Sequence, residues 1–286
     1  MPPCSASRRK LIDVARATWG YDFAEDTLIV ASSGRYEFHN KGLDVFLESL
    51  KQLATSNINR DVLAVIAVPA GNTGAREDLA QHLANGSAID PAQKRFLSHQ
   101  LEAEAWDQVA QSVEGSILST SASRVKVLFI PTYLNGKDGV FNMPYYDVLA
   151  GMDLTVFASY YEPWGYTPLE SVAFGVPTVT TTLAGFGMWV AKQSNHNGVD
   201  IVRRDDYNER EVVLQITDVI KKYMDMDAEA LAEARESAHE IAATALWKKL
   251  FIEYKRAYEE ALDNSVNRTN RVLIDGGNRG EQINFV

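Results

Sequence analysis

Ser159-Tyr160-Tyr161-Glu162-Pro163-Trp164-Gly165-Tyr166-Thr167-Pro168-Leu169-Glu170 follows directly on an apolar run at 154–158. The run reads as a strand. Thr167, then Pro168, then Glu170 reads as a capping box with proline at the first helical position. A strand therefore feeds a helix whose unpaired N–H groups and positive dipole end lie at the strand's carboxyl edge, where an anion is stabilised. Glu170 serves either the cap or a ligand. Glu162, beside a proline and among aromatic residues, has no capping duty and reads as a site residue.

The same rhythm extends outward. Apolar runs at 27–31, 62–68, 125–130, 177–180 and 199–202 alternate with helical patterns such as 42–53 and 207–223. That alternation predicts βαβ crossovers and a doubly wound α/β fold, a mostly parallel sheet covered by helices. One stretch departs from it. Between 90 and 113, Leu97, Leu101, Ala105 and Val109 recur every fourth residue, which predicts an inserted helix whose stripe packs on its own domain or against a second copy of the chain. Farther on, Leu246, Leu250, Tyr254, Ala257 and Ala261 would line one side of a helix, before a polar tail containing Asp275-Gly276-Gly277. The expected organisation is one α/β domain over 1–262 and an irregular tail over 263–286.

A second motif follows the first strand: Ser33-Gly34-Arg35-Tyr36-Glu37-Phe38-His39-Asn40-Lys41-Gly42. Ligands of open α/β sheets bind at the carboxyl ends of strands. There, Arg35 as a planar fork and Lys41 as a point charge suit a diphosphate; otherwise both are solvated surface cations.

Composition removes other classes. A formal charge of -10 without a clustered basic patch argues against a nucleic-acid partner. No apolar run approaches the ~18 residues of a membrane helix. A single cysteine, Cys4, and a start at Met1-Pro2-Pro3 without an apolar signal core point to the cytoplasm. His39, His82, His99, His196 and His239 lack metal-ligand spacing. Asp225-Met226-Asp227 imitates a metal-binding Asp-x-Asp, but it precedes a helical run near Ala228, where an acidic cap is expected. No metal site is predicted.

Gly34-Arg35-Tyr36-Glu37-Phe38 with Asn40-Lys41-Gly42, and the stretch from Tyr160 to Pro168, closely resemble the glycogen synthases of the animal and fungal type, a likeness running over about residues 11–187. The resemblance implies two Rossmann-like domains facing a cleft, the GT-B arrangement. This chain would be the C-terminal one, with the N-terminal domain missing and the chain alone inactive. Carried over by position, it implies that Arg35 and Lys41 hold the donor diphosphate, and that in a Glu-x7-Glu motif Glu162 lies at the glucosyl group while Glu170 binds the ribose hydroxyls. Backbone amides of Trp164 and Gly165 would meet the sugar, and those of Tyr166 and Thr167 the distal phosphate. Tyr145, with Tyr146 adjacent, aligns with the tyrosine that stacks on the nucleobase.

The implied reaction moves glucose from UDP- or ADP-glucose, with retention, to the 4-hydroxyl of an α-1,4-glucan that the missing domain would help to hold. It needs no cofactor, because preorganised cations and a helix N-terminus meet the charge growing on the leaving phosphate. Thr182 and Ala184 depart from the family's pattern before Gly185-Phe186-Gly187. Arg203-Arg204 and Arg210 do not form its arginine-dense regulatory helix, so activation by a sugar phosphate is not expected. Two alternatives stay open: a glucosyltransferase of the same architecture with another acceptor, and a non-catalytic nucleotide-sugar-binding or assembly module that self-associates through 90–113.

Overall fold

The runs that become the inner strands are buried on both faces, as in a helix-covered parallel sheet. In the computed structural model, which describes residues 5–194 and 196–277 and side chains through 268, the strands are β1 (Leu28–Ser33), β2 (Val62–Ala67), β3 (Asn72–Ala75), β4 (His99–Leu101), β5 (Val125–Phe129), β6 (Leu154–Val156), β7 (Thr178–Thr181) and β8 (Val199–Val202). The helices are α1 (Ser5–Trp19), α2 (Leu43–Ala54), α3 (Glu77–Asn85), α4 (Gln108–Val113), α5 (Tyr145–Leu149), α6 (Tyr166–Ala173), α7 (Gly185–Val190), α8 (Glu209–Asp225), α9 (Ala228–Thr244) and α10 (Trp247–Gly277). Cys4 and 278–286 lie outside the described residues. No helix among those described is long and apolar enough to cross a membrane.

Six strands make one sheet in the order β5-β2-β1-β6-β7-β8, every neighbouring pair parallel. Starting from β1, the chain winds outward through β2 to β5, then returns to the other side of β1 for β6, β7 and β8. The direction of winding reverses between β1 and β6, and the crevice outside the carboxyl ends of those two strands is where such sheets take their ligands. Residue alternation divides the core. Leu28, Val30, Val62, Ala64 and Ile66 face Phe46 and Leu50 of α2 and Ile216 and Ile220 of α8. Ile29, Ala31, Leu63 and Val65 face Leu11 and Val14 of α1 and Leu149 of α5. A smaller cluster joins α6, α7 and α9 through Val172, Phe186, Val190 and Ile241.

The stretch 90–113 is not one helix. Its middle is β4, antiparallel to β3, and only its last six residues form α4, capped by the Asp107 carboxylate, which accepts from Ala110 N at 2.8 Å. Sheet pairing satisfies the backbone here, and tertiary context overrides the four-residue spacing. Phe129 N donates to the Phe96 carbonyl at 2.6 Å, and Ser98 N to the Phe129 carbonyl at 3.0 Å, which seats the segment beside β5. Leu97, Leu101 and Val109 are buried in the domain's own core. They are not a stripe offered to a second copy.

The chain divides into two compact units, Met1–Ala242 and Ala243–Val286, ahead of the boundary expected at 262. In the second, α10 runs on through 263 to Gly277, so those residues are helical rather than an irregular tail. Within α10, Trp247 lies 5.2 Å from Tyr254, and Tyr254 lies 6.2 Å from Tyr258, ring to ring.

His99, buried on β4, links β4 to the loop that leads into α5. Its Nε2 lies 2.9 Å from the Asp138 carbonyl oxygen, which makes Nε2 the protonated nitrogen of a neutral ring, and its Nδ1 lies 2.8 Å from the Ser98 hydroxyl. The Asp138 carboxylate in turn accepts from the backbone N–H groups of Val140, Phe141 and Asn142. Burial lowers the His99 pKa below the ordinary 6.5, against the smaller opposing pull of Asp138. Between the folded and unfolded values the unfolded chain binds more protons, so this contribution is complete above pH 6.5 and is lost as pH falls toward the folded value. Urea midpoints of the protein and of His99→Gln should therefore converge between pH 7.5 and 5.5; a constant gap would contradict the assignment.

Candidate functional site

The loops after β1 and β6 meet over a cavity of about 580 Å³. Arg35, Lys41, Tyr145, Glu162, Tyr166, Thr167 and Glu170 all line it. Residues singled out from two distant motifs are thus gathered at the switch between β1 and β6. Gly34 sits against α6, where an added Cβ would lie 3.6 Å from the Thr167 methyl.

The basic loop turns back on itself. Lys41 N donates to the Glu37 carbonyl at 2.8 Å, and Asn40 Nδ2 donates to the Glu37 carboxylate at 2.6 Å. Arg35 pairs with the same carboxylate at 3.0 Å and remains 78% exposed, so its guanidinium is available to a ligand. Lys41 is more enclosed and is ion-paired to Glu162. One cation and one carboxylate from the two motifs therefore share the same corner of the cavity.

Gly42 explains why the loops approach so closely. Its φ of +70° is left-handed, and a Cβ there would lie 1.9 Å from the Ala158 carbonyl oxygen, so no side chain fits. Tyr160 N donates to the Asn40 carbonyl at 2.9 Å, a second tie between the loops. Beneath them lies Arg204, which is 2% exposed. It donates to the Ala158 carbonyl, and its guanidinium lies 3.6 Å from the centre of the Tyr160 ring. Its Nε and second terminal nitrogen have no hydrogen-bond partner. Nothing local in the sequence distinguishes Arg204 from Arg203. Its position just past β8, at the sheet's carboxyl rim, is the signal that would have found it.

The start of α6 corrects the capping-box expectation. Gly165, at φ +104°, is the N-cap; no side chain caps this helix, and Tyr166 is the first helical residue. The left-handed glycine turns the chain early enough that Thr167 is already helical. Pro168 then falls in the first turn, where a missing N–H costs no intrahelical bond. Glu170 does not reach back to a cap; it accepts a hydrogen bond from the Tyr146 hydroxyl at 2.9 Å. Tyr166 and Thr167, which belong to that same first turn with its unpaired N–H groups, both line the cavity.

Trp164 and Gly165 are set behind the lining. The Trp164 ring packs edge-on against Phe186 at 6.1 Å and near Trp189 at 5.8 Å, while Glu162 and Trp164 accept at their carbonyls from Gly185 N and Phe186 N. These bonds anchor the turn to α7. Tyr145 lines the cavity with its hydroxyl 2.7 Å from Ser33 Oγ, and burial pushes its phenol up to about 12. Asp227 is a cap: its carboxylate accepts from Ala230 N at 2.8 Å. Among the described residues, no group of three His, Cys, Asp or Glu is placed to hold a metal.

Comparison with known proteins adds the family. The glycogen synthase family model matches residues 92–278. The glycogen [starch] synthase of Neurospora crassa is 28% identical over 90% of this chain and 45% of its own length. Isoform 2 from Saccharomyces cerevisiae is 25% identical over 92% of this chain and 46% of its own. The chain thus spans under half the length of these curated relatives. A solved glycosyltransferase, WaaG, involved in lipopolysaccharide biosynthesis, aligns with 82% of this chain and 47% of its own at 17% identity and a TM-score of 0.45.

Gly42→Ala should force the two loops apart and lower unfolding stability by about 3 kcal/mol, since backbone must move to admit the methyl group. Urea denaturation measures this, and a variant within about 0.5 kcal/mol of the parent would refute the close approach.

Proposed function

The chain belongs to the glycogen synthase family, and we propose that its first unit is the donor-binding domain of a glycogen (starch) synthase with the GT-B arrangement. In this reading the enzyme moves glucose from a nucleoside-diphosphate glucose, UDP- or ADP-glucose, to the 4-hydroxyl of an α-1,4-glucan with retention of configuration. A cytoplasmic location accords with the lone cysteine. The observation that carries the reading is the convergence of Arg35, Lys41 and the first turn of α6 on one cavity at the switch between β1 and β6.

Each part then has a task. Arg35, Lys41 and the Tyr166 and Thr167 amides receive the diphosphate, whose charge grows as the glycosidic bond breaks; donors already in place stabilise it more in the transition state than in the ground state. Glu162 lies at the glucosyl group, with the Trp164 and Gly165 backbone beside it. Its pairing with Lys41 links the sugar end of the donor to the phosphate end. The Tyr145 ring takes the nucleobase, and Glu170 takes the ribose hydroxyls. Because the Tyr145 hydroxyl is engaged by Ser33, the ring's orientation is fixed.

Calorimetric titration of UDP, ADP and their glucose derivatives should give binding that weakens by about tenfold or more in Arg35→Ala and in Lys41→Ala, the expected loss of a charge-assisted hydrogen bond. Affinity indifferent to both substitutions would sink the donor-site reading.

A further inference from the structure

Tyr146 does not line the cavity, yet it is bonded to a residue that does. Its hydroxyl donates to Glu170 Oε1 at 2.9 Å. Its ring lies flush on Phe174, with centroids 5.0 Å apart and planes 2° from parallel. Phe174 directly follows α6, the helix that carries Glu170. The stack therefore ties α5 to the end of α6, and the hydroxyl holds the carboxylate between them. Hydrogen bonding to Glu170 raises the Tyr146 phenol, so the hydroxyl keeps the proton it donates.

We propose that Tyr146 is a positioning residue that aims Glu170 at the sugar hydroxyls of the donor and thereby sets a preference for ribonucleoside over 2′-deoxyribonucleoside diphosphates. The proposal rests on the donor-site reading above. A carboxylate offers about four lone-pair sites, and Tyr146 occupies one of them, which leaves enough for two vicinal hydroxyls. A glutamate free to rotate must lose several torsions on meeting a ligand, whereas one already held by a stacked tyrosine loses less. The gain applies to ligands that offer a hydroxyl where the carboxylate points. The two adjacent tyrosines thus divide the work: Tyr145 faces the cavity with its hydroxyl tied to Ser33, and Tyr146 stands outside and steers Glu170.

The experiment compares UDP with 2′-deoxy-UDP, and ADP with 2′-deoxy-ADP, by calorimetry on the full chain, on Tyr146→Phe, which keeps the ring stack, and on Glu170→Ala. The parent should prefer the ribose form by about tenfold. Tyr146→Phe should reduce that preference to about threefold by weakening only the ribose form, and Glu170→Ala should abolish it. A preference unchanged in Tyr146→Phe overturns the proposal, as does a parent that binds both forms equally; in either case nucleotide binding leaves the donor site standing. A parent that binds neither nucleotide removes the donor-site reading and this proposal together.

Discussion

The backbone of Gly42 lies against the carbonyl of Ala158, at a separation that excludes even a methyl group, and this approach brings together the loops that follow β1 and β6. A left-handed residue without a side chain is the local requirement. Arg204 supplies the other half by engaging the same carbonyl from beneath and stacking on Tyr160. With the loops so fixed, Lys41 reaches Glu162, and the start of α6 faces the basic loop. The cavity is thus a consequence of backbone packing at the rim of the sheet, and its charged side chains are positioned by that packing.

Electrostatics at the site are local, set against a molecule of opposite overall sign. The formal charge is -10, yet Arg35, Lys41 and the dipole end of α6 present positive potential to one side of the crevice. The Lys41–Glu162 pair leaves each side chain 19% exposed. Ion pairs at that depth contribute little to stability once desolvation is counted. Its value lies in geometry: it keeps an ammonium and a carboxylate at a fixed separation in a place where water is partly excluded.

Much of this was legible because strand burial and motif position are local signals. The runs at 62–68 and 125–130 became β2 and β5 within a residue or two, and Arg35, Lys41, Glu162 and Glu170 all came to the cavity their motifs implied. The failures share a physical origin. Leu97 and Leu101 keep a helical spacing with Val109, but the backbone of Leu101 pairs with β3 and that of Leu97 with β5, and the spacing alone cannot report those partners. The start of α6 was misplaced because Thr167-Pro168 is a strong local cap signal, while the left-handed turn at Gly165 depends on the bonds from Gly185 and Phe186 to the preceding turn. The contacts of Arg204 with Ala158 and of Tyr146 with Glu170 join residues distant in sequence, where local pattern carries no signal.

The segment beside β5 has a consequence for the molecule in solution. β5 is the outermost strand on its side of the sheet, and such a strand, left bare, offers a ladder of amide groups onto which a foreign strand can zip. The bonds from Phe96 and Ser98 to Phe129 occupy that ladder at the terminus of β5. What interrupts the α/β rhythm between 90 and 113 therefore works as a guard at the end of β5, taking up the amide and carbonyl of Phe129 that a foreign strand would otherwise meet.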